Sequence, residues 1–519
     1  MENGLNKKYG LLTAICMVVG IVVGSGVFFK AQTILQKTEG NMVMGIWAWL
    51  IGGAIMLCCI AAFSIMATKY EKVNGVVDYA EATVGRKYGY VVGWFLTMIY
   101  YPTLTSVLAW LSARYTLVFL TSAFPDKITL VIPAAEGGCV IGPECMALSV
   151  FFLCAAYAIN ALSPKIAGHF QVATTIIKLI PLLLMAVVGI VVGLVSDQGV
   201  LLENMANPGA ETTGNPLFGA IVATAFAYEG WIIATSINAE LKDAKRNLPI
   251  ALIAGGIIIV AIYLFYYIGV AGGATVEDLM HDGATTAYLN IFGGAFGNIL
   301  NLFVAISCMG TLNGLMLGCT RGIYAVATRG EGPHPEMFRQ VDKVTNMPNN
   351  ASILGLLLCG FWFLFFYGSN LAAFGWFGLF SFDSSELPIV TIYALYIPIY
   401  FMFMKKATDL SFTRRYLIPA LGLLGSVFMV CAAIYAHGIQ PYLAAKANGG
   451  FACPIVFYLI FFAVILVWGL AHYKNRQAGA RTPRTSAEPA SEASSVPSKQ
   501  KTRRPDCEVP TEVSSLQKP

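Results

Sequence analysis

Residues 20–29 read GIVVGSGVFF, and this run lies near the middle of a long apolar segment. Glycine tolerates irregular backbone dihedrals and allows other groups to approach closely. Gly24-Ser25-Gly26 is therefore a place where a membrane-spanning helix can unwind and leave N–H and C=O groups free inside the protein. The N–H groups that open the second half-helix attract a carboxylate, helped by the helix dipole, and the Ser25 hydroxyl can add a donor. The alternative is that Gly20 and Gly24 form a GxxxG packing face.

The composition indicates a membrane protein. The 519 residues are 57% hydrophobic and 12% charged, with a mean hydropathy of +0.68. Soluble domains carry roughly 25% charged residues, so a chain this apolar needs a lipid bilayer around it. One crossing takes about 20 apolar residues, and the sequence then predicts an all-α membrane protein with twelve transmembrane helices. The predicted spans are roughly 11–36, 42–68, 89–120, 146–163, 167–195, 215–238, 249–272, 291–327, 351–368, 385–404, 416–437 and 453–473.

Positive charges are distributed unequally between the two ends of these spans. With the N-terminal segment inside, eighteen Lys and Arg residues fall on the cytoplasmic side, and three, Lys37, Lys127 and Lys446, fall on the other. This asymmetry follows the positive-inside rule and predicts a multi-pass protein of the cell membrane with both termini in the cytoplasm. Residues 474–519 are rich in Ser, Pro, Ala, Lys and Arg and are predicted to be a disordered cytoplasmic tail.

The sequence argues against an enzyme or a pump. It contains no Cys-x-x-Cys pair and no Gly-x-x-x-x-Gly-Lys-Ser/Thr phosphate-binding run. No predicted span pairs a nucleophile with a histidine, because all five histidines lie at or beyond span ends: His169, His281, His334, His437 and His472. We therefore expect no catalytic residues, no metal, no cofactor and no nucleic-acid partner.

Cys139 and Cys145 share a polar stretch between the third and fourth spans. They could pair as a disulfide if that loop faces an oxidising compartment.

A second interruption lies in the sixth span. Residues 224–231 read TAFAYEGW, and this glycine-containing break falls about as deep in its span as the first break does. Five spans per half give the two halves opposite orientations, and matching breaks in inverted halves point to a transporter site. The chain then divides into an N-terminal segment at 1–10, a first five-helix repeat at 11–200, a second inverted repeat at 201–410, spans eleven and twelve at 411–473, and the tail at 474–519.

Three groups of motifs occur in order between residues 10 and 350. GSGVF in the first span is followed by FAYxGW at 226–231 with ELK at 240–242 and RNLP at 246–249, and then by SxxGxxNG at 307–314 with Arg321, RGEG at 329–332 and Pro335. Together they resemble the amino acid–polyamine–organocation superfamily, and in particular its L-type branch, which includes the bacterial serine/threonine exchangers. The resemblance implies a LeuT-type fold with a 5+5 inverted repeat and amino acid transport by alternating access.

The resemblance also assigns parts of the first break. It implies that the N–H groups of Gly24, Ser25 and Gly26 bind the carboxylate of the substrate. The carbonyl near Val22 would bind the amine.

In the second break, the resemblance implies that carbonyls near Phe226 and at position 229 bind the amine, within the segment Ala227, Tyr228, Glu229 and Gly230. Phe226 would act as an aromatic gate over the substrate, with ordinary packing as the alternative. Glu229 departs from the family pattern, which has glycine here. It could pair with a cationic substrate side chain, take up a proton as a coupling group, or serve as a structural hydrogen-bonding residue.

Lys178 lies in the middle of the fifth span, where a charge is a candidate for function. In the family, a lysine at this place points at the first broken helix and the eighth span, where sodium-coupled relatives hold a sodium ion. Ser307 or Thr311 could be its partner. The resemblance therefore implies sodium-independent transport, and both a proton-coupling role and a permanently charged structural role remain open.

The sequence thus predicts a secondary amino acid transporter that works by exchange or with protons. One alternative is an amino acid sensor with little net flux, and another is a transporter of cationic amino acids, polyamines or other amines that uses Glu229. The partners are an amino acid and the lipid bilayer. A homo-oligomer stays open, and no partner subunit is evident in the sequence.

Overall fold

The first predicted span consists of two helices rather than one. Helix α1 (Leu11–Val22) ends where Val23 turns extended, with φ −63° and ψ 108°. Ser25 then precedes helix α2 (Gly26–Lys37) and does not cap it with its side chain. The break predicted at Gly24-Ser25-Gly26 is confirmed.

The computed structural model describes residues 10–70, 75–162, 164–196, 200–210, 214–234, 241–342, 347–371 and 375–479. Every regular element among them is helical, and the described residues up to Arg476 form one compact unit. The predicted tail lies almost entirely outside the described residues and stays a prediction. After α1 and α2, the main helices are α3 (Met42–Tyr70), α4 (Val76–Thr83), α5 (Arg86–Ala123), α6 (Pro143–Leu162), α7 (164–195), α8 (Pro216–Ala227), α9 (Trp231–Ala234), α10 (Ala244–Ala271), α11 (Val276–Asp282), α12 (Ala284–Thr328), α13 (Asn349–Asn370), α14 (Leu387–Lys406), α15 (Thr413–Ala447) and α16 (Pro454–Gly479). Short helical turns lie at Ala134–Glu136, Gly138–Ile141, Leu201–Ala206, Pro335–Phe338 and Gly378–Phe380.

Ten helices in the described part of the chain are long and apolar enough to cross a membrane, judged by length and composition. They correspond to every predicted span except the first and the sixth. Those two spans contain only shorter apolar helices, at Leu11–Gly20 and Pro216–Ala227, because a break cuts each of them. All twelve predicted spans therefore have a helical counterpart.

The sixth span is interrupted where the sequence predicts it. Helix α8 ends at Ala227, and Gly230 adopts φ 103°, a conformation that side chains disfavour. Helix α9 then begins at Trp231. Residues 235–240, which include Glu240 of the ELK motif, lie outside the described residues.

Helix α15 is longer than the predicted eleventh span and continues through a π-helical segment at Tyr435–Ile439. His437 therefore lies inside this helix and not at its end, so its predicted position was wrong. Its side chain is buried and lies 3.1 Å from the Glu386 carboxylate. This polar partner makes burial of the imidazole tolerable.

Cys139 and Cys145 are both buried free thiols. The suggested disulfide between them was wrong.

Helices α7 and α10 meet backbone to backbone at Gly189 and Gly269. A Cβ atom at Gly269 would overlap the Met185 carbonyl, and one at Gly189 would overlap the Gly269 carbonyl. Small residues at such positions let helix backbones pack closely inside a membrane. The two helices are therefore held together along this stretch by contacts that no larger residue allows.

We predict that Gly269→Ala lowers the unfolding temperature of the detergent-solubilised protein, because overpacking costs about 1–3 kcal/mol. The matched control is Gly360→Ala in α13, where a Cβ would meet no atom within 4 Å. Thermal unfolding of the two variants, followed by fluorescence-detected size exclusion, measures the difference. Equal unfolding temperatures would contradict the backbone contact.

Candidate substrate site

The two helix breaks meet in the structure. A Cβ atom at Gly26 would lie 2.8 Å from the Cα atom of Ala227 and 3.2 Å from the carbonyl oxygen of Phe226. A Cβ atom at Gly24 would lie 3.0 Å from the Thr311 hydroxyl on α12. The glycines of the first break therefore allow the start of α2 to touch the end of α8, with α12 alongside.

Tyr263 of α10 joins the two breaks. Its hydroxyl lies 3.1 Å from the Val22 carbonyl and 3.1 Å from the Ala227 carbonyl. The ring is buried and stacks on Tyr228 at 5.3 Å between centroids, and the Tyr228 hydroxyl donates to the Trp49 carbonyl at 3.0 Å. Sequence analysis missed Tyr263, because nothing in the apolar seventh span distinguishes it from a packing residue.

Polar atoms without partners surround the first break. The Ser25 and Ser307 hydroxyls are buried and make no hydrogen bond of normal geometry to a described residue, although the Cys308 thiol faces the Ser25 hydroxyl. The first N–H groups of α2 also have no intrahelical acceptor, as at any helix start. Buried polar groups are nearly always hydrogen-bonded, so each exception needs an explanation. Hydroxyl and N–H donors at a helix N-terminus are suited to a carboxylate.

Phe226 lies one residue before the end of α8 and touches the outer half of the first span. Its ring meets the Phe29 ring edge to face at 6.2 Å, and the Lys30 ammonium lies 5.2 Å from its centroid. Phe226 is almost fully buried. The aromatic ring is thus placed between the two broken helices, beside the donors of α2.

Glu229 lies in the second break, and both of its carboxylate oxygens are inaccessible to solvent. Neither oxygen has a hydrogen bond of normal geometry to a described residue. The groups that face the carboxylate are the Tyr100 hydroxyl and the Gly230 N–H, with Tyr396 nearby. The Tyr396 hydroxyl is likewise buried without a partner in the described part of the chain, and the Trp231 indole N–H faces the Tyr393 hydroxyl without a hydrogen bond of normal geometry. An anionic, aromatic-lined position therefore adjoins the second break.

Lys178 lies at a turn within α7 and donates to the Gly20 carbonyl of α1 at 2.5 Å. The hydrogen-bond acceptor of Lys178 is thus a backbone carbonyl and neither of the hydroxyls of Ser307 and Thr311, which the sequence suggested as possible partners. Thr311 instead donates to the Ser307 carbonyl at 3.0 Å within α12. The ammonium of Lys178 is buried and anchors the inner half of the first broken helix to α7.

A cavity of about 330 Å³ opens at the end of the bundle that carries α4 and the end of α12. Its walls include Thr97, Tyr101, Ile232, Gly318 and Arg321, so it extends from near the second break towards the basic end of the helices.

Ion pairs surround the mouth of this cavity. Arg329 donates to Asp78 at 2.7 Å and to Glu81 at 3.1 Å, and Arg86 donates to Glu331 at 2.7 Å. Burial raises the pKa of Glu331 above its usual value, against the opposing effect of Arg86. These pairs tie α4 and the start of α5 to the end of α12.

The fold and the site define a class of protein. A helical membrane bundle in which two interrupted helices bring free backbone groups to one buried point is built as a transporter. The model of the amino acid permease family matches residues 9–463. The chain belongs to this family, within the amino acid–polyamine–organocation superfamily, and is a membrane transporter of amino acids and not an enzyme.

Proteins similar to this chain are named as amino acid transporters or exchangers, which is consistent with the family match. The chain is 29% identical to the serine/threonine exchanger SteT of Bacillus subtilis, over 83% of this chain and 91% of that protein. It is 25% identical to the Asc-type amino acid transporter 1 of Mus musculus, over 68% of this chain and 63% of that protein. It is 23% identical to the b(0,+)-type amino acid transporter 1 of Rattus norvegicus, over 92% of this chain and 90% of that protein.

We predict that Ser25→Ala weakens amino acid binding by about tenfold or more, since a hydrogen bond to a charged group contributes about 1.5–3 kcal/mol. Stability should change little, because the Ser25 hydroxyl makes no hydrogen bond of normal geometry to a described residue and faces only the weakly bonding thiol of Cys308. The matched control is Ser64→Ala, which removes a buried serine that donates only within α3, to Ala61. Scintillation proximity binding of a radiolabelled amino acid measures both, and unchanged affinity in Ser25→Ala would contradict the role.

Proposed function

We propose that this transporter is a sodium-independent amino acid exchanger of the cell membrane that works by alternating access. The observation that carries the proposal is the meeting of the two breaks, in which Tyr263 lies 3.1 Å from a carbonyl of each. Exchange is favoured over net uptake by the likeness to SteT, which is named a serine/threonine exchanger. Small neutral amino acids are the first substrates to test.

The proposed binding mode divides an amino acid between the two breaks. The N–H groups of Gly24, Ser25 and Gly26 take the carboxylate, helped by the Ser25 hydroxyl and the positive end of α2. Carbonyls of Val22 and of the 226–229 segment take the amine, and Phe226 closes over the side chain. The unpartnered Ser25 hydroxyl and the edge-to-face contact of Phe226 with α2 support this arrangement.

The proposed topology has twelve spans, two inverted five-helix repeats and both termini in the cytoplasm. The equal lengths of α1 and α8, twelve residues each before their breaks, support the repeat. The basic end of the bundle then faces the cytoplasm by the positive-inside rule. The cavity at this end reaches from near the second break to the basic end of the helices, which supports an inward-facing state.

Sodium independence rests on Lys178. Its ammonium binds the Gly20 carbonyl beside the first break and places a positive charge there whenever the lysine is protonated. A second cation at the same place would meet strong repulsion in a low-dielectric interior. The ammonium therefore takes the structural place of a sodium ion.

We predict that proteoliposomes take up labelled serine or threonine rapidly only when they are loaded with an unlabelled amino acid, and that replacing external sodium by choline leaves the rate unchanged. In exchange, the binding site returns to the outside only when it carries an internal substrate molecule, so empty vesicles should show little uptake. The control is the same preparation with an external impermeant sugar. Uptake into empty vesicles, or a sodium requirement, would contradict the proposal.

A second candidate function is transport of cationic amino acids or amines, and Glu229 favours it. Its buried carboxylate has no cationic side chain paired with it among the described residues, and a substrate ammonium or guanidinium would supply one. The aromatic groups around it would also attract a cation. If Glu229 pairs with a cationic substrate, its substitution should affect cationic substrates and leave neutral substrates nearly unchanged.

We predict that Glu229→Gln lowers binding of lysine or arginine by more than about 100-fold, because a buried ion pair that loses one partner costs about 3–5 kcal/mol, and changes serine binding by less than about threefold. Competition binding in the purified variant measures both. Glu203→Gln, at an exposed position outside the site, is the matched control. Equal loss of affinity for both substrate classes would indicate a structural residue.

A further inference from the structure

Four cations lie together where α14 ends and α15 begins, and neither the substrate site nor the cavity uses them. They are Lys405 and Lys406, the last two residues of α14, and Arg414 and Arg415, in the first turn of α15. None of the four forms an ion pair with a carboxylate in the described part of the chain. The loop between the two helices contains one carboxylate, Asp409, and it pairs with Lys69 of α3.

Arg415 brings the two ends of this connection together. Its Nε–H group donates to the Met404 carbonyl at 2.8 Å, and its Nη2 atom donates to the Lys405 carbonyl at 3.3 Å. Both carbonyls belong to the last turn of α14, where they carry partial negative charge and lack acceptors' partners within the helix. The start of α15 is thus folded back onto the end of α14, and the two basic pairs lie at one place on the surface.

Exposed aromatic rings lie beside these cations. The Lys405 ammonium lies 4.3 Å from the centroid of the Phe401 ring, and the Arg415 guanidinium lies 4.7 Å from the centroid of the Tyr416 ring. Phe401 is 49% exposed and Tyr416 is 39% exposed, and the exposed ring of Phe412 contacts Tyr416 at 5.5 Å between centroids. Large apolar side chains on the outside of a membrane bundle face lipid, and aromatic rings concentrate near the headgroups. The cations therefore lie where hydrocarbon meets headgroups.

Other cations at the same end of the bundle differ from this cluster. Arg86 and Arg329 pair with carboxylates around the mouth of the cavity. Lys242 and Arg246, at the start of α10, are exposed, but neither lies against an aromatic ring among the described residues. Positive charge alone is thus common at this end, and the cluster adds lipid-facing rings to it.

We infer that this cluster binds the headgroup of an anionic phospholipid, with the phosphate between the two basic pairs and the acyl chains against Phe401 and Tyr416. A phosphate diester carries a negative charge and several acceptor oxygens, which suit Arg and Lys donors. Basic pockets between membrane helices bind such headgroups, and each cation near the bilayer surface adds attraction. The two rings hold the charged groups of Lys405 and Arg415 by cation–π contacts. The site belongs to neither helix break, so the inference depends on neither the substrate nor exchange.

Binding of defined lipids to the full-length protein in a neutral detergent tests the site. Native mass spectrometry measures the dissociation constant of the first bound lipid. The probes are phosphatidylglycerol, which is anionic, and phosphatidylcholine, which carries the same phosphate but no net charge. Glycerol 1-phosphate, a soluble headgroup without acyl chains, is added as a competitor to separate a lipid from a free phosphate ester.

We predict that the protein binds phosphatidylglycerol about tenfold more tightly than phosphatidylcholine, and that Lys405→Gln combined with Arg414→Gln reduces this ratio to about twofold or less. Both side chains are exposed, so the fold should be retained. The matched control is Lys242→Gln combined with Arg246→Gln, which removes the same charge from exposed positions and should leave the ratio unchanged. Phe401→Leu, which keeps every charge, should lower the ratio by about threefold through loss of a cation–π contact.

Three results would overturn the inference. The first is equal affinity for the two lipids in the unchanged protein. The second is an equal loss in both double variants, which would indicate a general attraction of lipid to positive charge. The third is displacement of phosphatidylglycerol by an equal concentration of glycerol 1-phosphate, which would identify a soluble phosphate ester as the ligand. If the first double variant does not fold, Arg414→Gln alone and Phe401→Leu decide in the same way.

Discussion

The contact between the two helix breaks is the constraint on which the other features depend. Gly26 lies against the backbone of Ala227, and Tyr263 lies between a carbonyl of each break. Unwound backbone inside a membrane survives only where its polar groups find partners within the protein. The Tyr263 hydroxyl has a single proton, which the two carbonyls share, and in the proposed binding mode the N–H groups and the Ser25 hydroxyl take the substrate carboxylate. The candidate site thus consists of the polar groups at the breaks that the rest of the protein does not satisfy.

The breaks themselves were predictable because they are local. Glycine permits the close approach of neighbouring helices at positions 24 and 26 and the positive φ at position 230, and a single sequence displays such residues directly. The helices were predictable for a similar reason, because about 20 apolar residues per crossing is a simple length requirement. Helix α15 differs most from its predicted span. It runs past residue 437, and the polar His437 side chain lies inside it beside the Glu386 carboxylate, which directly precedes α14.

The side-chain partners were not predictable, because they depend on how helices rotate against one another. Lys178 was expected to point at the first broken helix and the eighth span, with a hydroxyl of α12 as a possible partner, and it donates to the Gly20 carbonyl on α1. Glu386 falls at the start of the predicted tenth span, 385–404, where the sequence indicates no partner, yet it is fully buried among two lysines of α2 and the His437 ring of α15. Tyr263 is one of several tyrosines in an apolar span. In each case the missing information is which face of a helix points inward.

The close approach of Gly189 and Gly269 has a mechanical consequence. Helices α7 and α10 touch through backbone, so no lipid chain or side chain separates them there. One carries Lys178, which holds the inner half of the first broken helix, and the other carries Tyr263, which holds the ends of both first half-helices. Lys178, which binds α1, and Tyr263, which contacts both breaks, thus lie on two helices that are in direct backbone contact. A sliding of α7 along α10 would bring the Met185, Gly189 and Gly269 backbones into overlap, so this contact resists such a shift.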